Sequence, residues 1–305
     1  MSPHALIILL GAAVLGTFKL AWRSDESFFN LELGITMASF AAASYCPSRT
    51  IMNWTCDRCD NRIKDFLPTA VIYDEKWNLQ AYVGYSPELS SVLVVFRGTI
   101  ENSLENWIHN LMSSKEKVKY PGMPNDARVH EGFYRSWTRS KLQVQVNDAI
   151  RAVGARWGFP PVVVVGHSLG GALATLCAAE LVTEHSLTDV SLYTFGCPRV
   201  GNAAFAKAMK NFSIASTRVT HDRDIVPSVP FKHMGFHHIA REVWERTVRV
   251  GRTPFAISVE ITCNESGEDV HCQDSLCKSP GACDSIADHL TYLGVPLGGR
   301  KNFDC

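Results

Sequence analysis

The sequence lacks an excess of charge of either sign, since its 305 residues contain 30 Lys and Arg against 30 Asp and Glu. Proteins that bind nucleic acids usually carry a basic excess, so we expect no nucleic-acid partner. Internal repeats and low-complexity tracts are also lacking. With 46% hydrophobic and 20% charged residues, the chain is able to bury a sizeable core, and we expect one folded domain over residues 25–305.

The N-terminal apolar run is shorter than a typical membrane span. Residues 5–18 are 14 residues without a charge, whereas a spanning helix needs about 20 apolar residues. This length suits the core of a secretory signal, although no Lys or Arg precedes the run and the cleavage pattern is weak. We predict that residues 1–24 are a signal peptide, with an uncleaved signal anchor or a buried helix as alternatives. Sequons at Asn53, Asn211 and Asn264 agree with a secretory route to an extracellular or vacuolar location.

Cysteine is abundant rather than lacking. Of the ten cysteines, Cys177 and Cys197 lie in apolar segments typical of buried positions. The other eight lie in polar or terminal stretches: Cys46, Cys56, Cys59, Cys263, Cys272, Cys277, Cys283 and Cys305. Behind a signal-like segment, such cysteines indicate disulfide bonds. Zinc binding through CDRC (56–59) with His271 and Cys272, or a redox WTCDRC motif, are alternative interpretations.

Short β-branched runs alternate with helical patterns in the central part of the sequence. The predicted strands are residues 91–97, 161–165, 191–195 and 216–220. The predicted helices are residues 136–157, 170–182 and 202–212. Continuous apolar strands separated by helices are typical of a mostly parallel sheet covered by helices on both faces. The pattern therefore predicts an α/β fold.

The segment GHSLG (166–170) lies between a predicted strand and a predicted helix. It matches G-x-S-x-G, the pattern of a nucleophile elbow. In an elbow, Ser168 has a strained backbone, and only small residues at Gly166 and Gly170 avoid a clash. The N-terminus of the following helix then stabilises an oxyanion. The alternative is that Ser168 is an ordinary helix N-cap.

A serine nucleophile needs a histidine base and a carboxylate that orients the base, and on an elbow-type fold both follow the serine, acid first. Asp222 and Asp224 lie in a loop after the predicted strand 216–220. The histidines that follow them are His233, His237, His238, His271 and His289. The residues alone leave open which acid and which histidine complete a triad.

Seven segments, in order along most of the chain, resemble the class 3 lipase family, the fungal-type triacylglycerol lipases. They are VVFRGT (94–99), SLENWIHNL (103–111), VHEGFYRSW (129–137), VVGHSLGGALA (164–174), TFGCPRVGN (194–202), HDRDIVPSVP (221–230) and SIADHLTYLG (285–294). Plant members resemble the chain most, through WTCDRCD (54–60) and SGEDVHC (266–272). The resemblance implies an α/β-hydrolase fold with a mostly parallel central sheet.

The resemblance also selects the site residues. It implies that Ser168 is the nucleophile, Asp224 the acid and His289 the base. It implies an oxyanion hole formed by the backbone N–H groups of Leu169 and Thr99, with the Thr99 hydroxyl as a further donor.

The reaction that the resemblance implies is hydrolysis of acylglycerol esters through an acyl-enzyme, with no cofactor and no metal. The implied partners are a lipid or ester substrate and a lipid–water interface, and we expect a monomer. A related esterase, such as a feruloyl esterase or a phospholipase A1, is the alternative within the fold. A non-catalytic binding protein on a hydrolase scaffold is the alternative from another class, although the complete set of triad residues disfavours it.

Four disulfide pairs are expected, two of them from the same resemblance. Cys46 and Cys305 resemble a pair that ties the family's two termini together, and Cys277 with Cys283 resembles an additional local bridge. The other expected pairs are Cys56–Cys59 and Cys263–Cys272.

The segment ENSLENWIHNL (101–111) directly follows the expected oxyanion loop. Leu104, Trp107, Ile108 and Leu111 are spaced as one face of a short helix. Periodicity alone favours a surface helix packed permanently on the core. The resemblance implies instead a lid, which covers the active site in water and opens at a lipid surface.

Overall fold

The structure, a computed structural model, describes residues 29–59, 61–100, 105, 106, 108, 111, 114–212, 214–249, 251, 255–278, 281–298 and 305. The strands are β1 (Leu67–Asp74), β2 (Leu79–Ser86), β3 (Ser91–Phe96), β4 (Lys115–Lys117), β5 (Arg128–His130), β6 (Val162–His167), β7 (Val190–Phe195), β8 (Ala215–His221), β9 (Glu242–Arg249), β10 (Ala256–Thr262), β11 (Thr291–Tyr292) and β12 (Val295–Pro296). The helices are α1 (Leu31–Ala43), α2 (Ser48–Met52), α3 (Glu131–Thr138), α4 (Leu142–Trp157), α5 (Leu169–Thr183), α6 (Ala203–Asn211) and α7 (Ile286–His289). Short 3₁₀ turns occur at Asn61–Ile63, Val226–Ser228, Lys232–Met234 and Gln273–Ser275.

One sheet holds the main strands in the order β1-β2-β3-β6-β7-β8-β9-β10. Neighbouring strands from β3 to β9 run parallel, whereas β1 and β2 at one side and β10 at the other are antiparallel additions. This arrangement confirms the mostly parallel sheet and places the carboxyl ends of β3, β6, β7 and β8 along one edge. Loops at that edge are where α/β proteins of this type hold their functional groups.

Both faces of the sheet are buried, which explains the continuous apolar runs of the central strands. Along β3, Val92, Val94 and Phe96 pack in a core cluster with α3, α4, α5 and α6. Leu93 and Val95 point the other way, into a second cluster with α1 and α2. The sheet is therefore the middle layer of three.

The helix predicted over residues 136–157 is wrong at its start, because two helices occupy this region. The helix α3 ends at Thr138, and α4 begins at Leu142. The break coincides with a long-range contact, since the Lys141 amide donates to Asp74 Oδ2 of β1 at 2.9 Å. A carboxylate from a distant strand therefore binds the amide of the residue just before α4, and no local pattern encodes this contact.

The four disulfides are those expected: Cys46–Cys305, Cys56–Cys59, Cys263–Cys272 and Cys277–Cys283. The first bond ties the last residue of the chain to the end of α1 across 259 positions of sequence. The cysteines of the zinc interpretation are thus paired, and no thiolate among them is left for a metal ion. Cys177 and Cys197 are buried and unpaired, as predicted.

The signal segment, residues 1–24, lies outside the described residues and stays a prediction. Within the described part of the chain, no helix has both the length and the apolar character needed to cross a membrane. The sequon asparagines Asn53, Asn211 and Asn264 are exposed.

Candidate active site

Ser168 lies on a sharp turn between β6 and α5. Its backbone angles are φ 57° and ψ −128°, a combination that costs a non-glycine residue strain. The turn brings its flanks very close together. A Cβ atom on Gly166 would overlap the Gly170 carbonyl, and one on Gly170 would overlap the carbonyl of Phe96 at the end of β3. The two glycines of the motif are therefore required sterically, as the elbow interpretation predicts.

The N-cap interpretation of Ser168 is wrong. The residue precedes α5, but its hydroxyl makes no capping hydrogen bond. Its Oγ is instead buried without a hydrogen-bond partner among the described residues. Leaving a buried hydroxyl unpaired costs about 1–3 kcal/mol, so this arrangement does not serve stability.

Asp224 and His289 are in direct contact, and both are fully buried. His289 Nδ1 is 2.8 Å from Asp224 Oδ2. The same oxygen accepts a hydrogen bond from the Tyr292 hydroxyl, and Asp224 Oδ1 accepts one from the Val226 amide at 2.8 Å. Both carboxylate oxygens are therefore satisfied by donors that fix their orientation.

The other ring nitrogen of His289, unlike Nδ1, has no hydrogen-bond partner among the described residues. This atom, Nε2, is buried. Because Nδ1 donates to the carboxylate of Asp224, the neutral ring carries its lone pair on Nε2. This nitrogen is thus able to take a proton from a hydroxyl that comes within hydrogen-bond distance.

The other candidate acid, Asp222, is engaged elsewhere. Its Oδ1 accepts a hydrogen bond from the Thr247 amide at 2.9 Å, and its Oδ2 lies 3.5 Å from His221 Nε2. Among the alternative histidines, His238 is buried with Nε2 2.8 Å from the Pro227 carbonyl. The geometry therefore joins the acid and the base that the resemblance selects.

The loop after β3 lies against the elbow. A Cβ atom on Gly98, the residue before Thr99, would come within 2.9 Å of the Ser168 Cβ. Thr99 Oγ1 is also buried without a partner among the residues described. Leu169 is the first residue of α5, and amides in a first helical turn have no acceptor within the helix. The oxyanion hole formed by these two residues stays a prediction.

Tyr45 and His167 form a second contact to His289, although no motif marks Tyr45. His167 Nε2 is 2.8 Å from the His289 carbonyl oxygen, which only accepts, so Nε2 carries the proton. Its Nδ1 then accepts a 2.6 Å hydrogen bond from the Tyr45 hydroxyl. Burial, followed by the proximity of His289, lowers the pKa of His167 well below its usual value. The neutral ring therefore holds the backbone of His289 in place.

Gly196, at the end of β7, permits the close approach of the acid and the base. A Cβ atom there would lie 2.8 Å from both Asp224 Oδ2 and His289 Nδ1. The segment TFGCPRVGN carries this glycine, but only the folded chain shows what it faces.

Part of the expected lid lies outside the described residues, namely Leu104 and Trp107. Ile108 is half-buried and packs against the main core cluster, and Leu111 is buried within it. The lid stays a prediction.

Known proteins with similar sequence and structure agree with one another. A family model described as lipase (class 3) matches residues 93–234. The lipase of Rhizomucor miehei is 33% identical over 273 residues, which cover 85% of this chain and 68% of that protein. The chain belongs to the class 3 lipase family. It is a serine ester hydrolase of the lipase type on an α/β-hydrolase fold, which confirms the resemblance read from the sequence.

Two further matches are a solved structure and a curated relative. The structure of lipase II from Rhizopus niveus aligns with a TM-score of 0.76 and 29% identity, over 88% of this chain and 96% of that one. The secreted mono- and diacylglycerol lipase 1 of Fusarium solani is 32% identical over 209 residues, 67% of this chain and 60% of that protein. The chain spans about two thirds of the length of the curated relatives that it matches first.

Proposed function

We propose that this class 3 lipase hydrolyses acylglycerol esters with Ser168 as nucleophile, His289 as base and Asp224 as the residue that orients the base. The observation that carries the proposal is the contrast around the His289 ring. Its Nδ1 is held by a buried carboxylate, whereas its Nε2 and the Ser168 hydroxyl are buried and unpaired within the described structure. Buried polar atoms without a partner in the protein can instead interact with a bound substrate.

The reaction follows from the roles of these groups. Ser168 Oγ attacks the ester carbonyl while its proton passes to His289 Nε2, and Asp224 stabilises the resulting imidazolium. The negative charge on the carbonyl oxygen is stabilised by the N–H groups of Leu169 and Thr99, with the Thr99 hydroxyl as a further donor. The imidazolium then protonates the leaving alcohol, and an acyl-enzyme remains. A water molecule then attacks the acyl-enzyme carbonyl while His289 takes its proton. This step releases the fatty acid and restores the Ser168 hydroxyl.

Acylglycerols are the proposed substrates because several relatives carry lipase names, one of them as a mono- and diacylglycerol lipase. We propose in addition that the protein acts at a lipid–water interface, with residues 101–111 as its lid. Secretion is proposed from the signal-like residues 5–18 and the four disulfides, and a relative named as secreted agrees with it.

A labelling experiment and a substrate panel test these assignments. A serine-directed phosphonate ester should inactivate the protein and label the peptide that contains Ser168, as read by mass spectrometry. Triacylglycerol, diacylglycerol, phospholipid and feruloyl esters should then be compared side by side. Faster turnover of the feruloyl ester than of either acylglycerol would contradict the proposed substrate, and a label on another residue would contradict the nucleophile.

A further inference from the structure

The β9–β10 hairpin extends past the edge of the sheet that carries the active site. β9 pairs in parallel with β8 only as far as His221 opposite Glu245. Its last residues, 246–249, continue beyond the end of β8 and pair only with β10. At about 3.3 Å per residue, the hairpin projects roughly 13 Å past the end of β8. Ser168 and Asp224 follow β6 and β8 at this same edge.

The projecting hairpin has one apolar face. Because side chains alternate along a strand, Trp244, Arg246 and Val248 share a face of β9. Their partners in the register are Ile261, Val259 and Ile257 of β10. The opposite face, apart from Val243 and Ala256, is polar or charged, with Glu245, Thr247, Arg249, Ser258, Glu260 and Thr262. An amphipathic hairpin of this kind normally needs a layer that covers its apolar face.

The apolar face is covered at its base and open at its tip. Trp244 is buried beside the Cys263–Cys272 disulfide, in a small cluster of its own. Towards the tip, the exposed fraction rises to 37% for Val248, 52% for Ile257 and 71% for Phe255. Large apolar side chains that share one exposed tip mark an interaction surface.

The tip of the hairpin is positively charged as well as apolar. The described residues of the tip, 246–249, 251 and 255–257, include Arg246 and Arg249 and no acidic residue, in a chain whose net charge is zero. The Arg246 guanidinium lies 4.9 Å from the centre of the Trp244 ring, at the border of the buried cluster. Apolar side chains next to arginines are the combination that binds an interface with anionic headgroups.

We propose that the tip of the β9–β10 hairpin binds a lipid surface that carries anionic headgroups. Val248, Phe255 and Ile257 enter the interface, while Arg246 and Arg249 contact the headgroups. Contact at this edge holds the opening of the active site against the lipid, so the proposal rests in part on the proposed function. A second copy of the chain is a poorer occupant, because a two-fold contact would set the arginines of one tip against those of the other.

Flotation with vesicles tests this proposal without requiring catalysis. The vesicles are made of ether-linked phosphatidylcholine, with or without ether-linked phosphatidylglycerol, so that an ester hydrolase leaves them intact. We expect the parent protein to float with the anionic vesicles. The double variant Phe255→Ser, Ile257→Ser should bind vesicles of both compositions at least about tenfold more weakly. The double variant Arg246→Gln, Arg249→Gln should lose about tenfold of its affinity for the anionic vesicles only.

Phe159 offers a matched control, because its ring is also 71% exposed but lies just before β6, at the opposite edge of the sheet. Phe159→Ser should bind like the parent. Equal binding by the parent and both hairpin variants would overturn the proposal. So would a parent dimer in sedimentation that the hairpin variants dissociate without any change in flotation, since the tip would then be a protein interface.

Hydrolysis of a short-chain ester in solution separates this proposal from the proposed function. The hairpin variants should hydrolyse it at the parent rate, since none of the changed residues contacts the site. Hairpin-dependent flotation in a protein that hydrolyses no ester would uphold the lipid contact and contradict the function. Ester hydrolysis by a protein whose flotation does not depend on the hairpin would support the function and contradict the lipid contact.

Discussion

The two sides of the His289 ring differ in how fully their polar groups are bonded. On the acid side, Asp224 accepts hydrogen bonds from His289, Tyr292 and the Val226 amide, and both of its oxygens are used. On the nucleophile side, three polar atoms are buried without a partner in the described chain, and they are Ser168 Oγ, His289 Nε2 and Thr99 Oγ1.

The difference separates two physical requirements of the site. On the acid side, both carboxylate oxygens have donors, and these hydrogen bonds hold the base in one orientation and contribute to stability. Unpaired groups on the nucleophile side lower stability, and they gain partners only when a reacting ester is bound. Substitutions on the two sides should therefore affect rate and stability in different proportions.

The largest effect on rate is expected from Ser168→Ala. The kcat for a soluble ester should fall by about 10⁴–10⁶-fold, because no acyl-enzyme can form. The free energy of unfolding, from urea titration, should be unchanged or about 1 kcal/mol higher, because an unpaired buried hydroxyl is removed. A clear loss of stability would show that the serine has a structural bond and would weaken the contrast between the two sides.

Asp224→Asn should reduce both rate and stability. The amide nitrogen would face either the Val226 amide or the donors on His289 and Tyr292, so one donor always opposes another. We expect kcat to fall about 10³–10⁴-fold, as for triads with a misplaced imidazole tautomer. The free energy of unfolding should fall by about 1–3 kcal/mol.

Asp222→Asn is the matched control, since Asp222 lies two residues away and bonds the Thr247 amide instead of His289. Its kcat should stay within about tenfold of the parent. If the two asparagine variants exchanged their effects, Asp222 would be the acid of the triad.

The central strands and the elbow can be predicted from the sequence because their determinants are local. Val162–His167 is a β-branched run buried on both faces, and Gly166 and Gly170 flank the serine that they accommodate. The choice of Asp224 over Asp222 is not local. It depends on family resemblance, because the two acids differ only in what the folded chain places beside them.

The strand β9 escapes prediction because its buried acidic residues find their partners only in the folded chain. β9 has the sequence EVWERTVR, which does not resemble a buried strand. Glu242 is nevertheless buried, paired with Arg218 of β8 at 3.1 Å. Glu245 accepts a hydrogen bond from the Leu293 amide at 2.7 Å. Contacts between residues so far apart in sequence leave no periodic signal.

Thr99→Val should lower rate without lowering stability, because it removes one of the unpaired hydroxyls on the nucleophile side. If that hydroxyl helps to bind the oxyanion, kcat should fall about 10²-fold, the order found for single donors of such sites. The free energy of unfolding should not decrease. Thr99→Ser, which keeps the hydroxyl, should retain most of the activity. A valine variant with the parent rate would leave the backbone N–H as the only contribution of this residue.

The smallest effect on rate is expected on the acid side, from Tyr292→Phe. Burial, and then the charge of Asp224, raises the pKa of Tyr292 well above its usual value, so its hydroxyl remains a donor throughout the assay range. Removing this donor should lower kcat about tenfold and the free energy of unfolding by about 1–2 kcal/mol. The acidic limb of the pH–rate profile should move to higher pH, because a carboxylate with one donor fewer attracts the His289 imidazolium more strongly.

Tyr85→Phe is the control for this last change, since the Tyr85 ring stacks on Trp157 at 4.3 Å, on a strand that does not carry the triad. It should alter neither rate nor pH profile. A Tyr292→Phe variant with lower stability but an unchanged pH–rate profile would contradict a role for the hydroxyl in orienting the acid. The hydrogen bond from the Tyr292 hydroxyl to Asp224 would then contribute to stability only, and the full bonding of the acid side would serve folding alone.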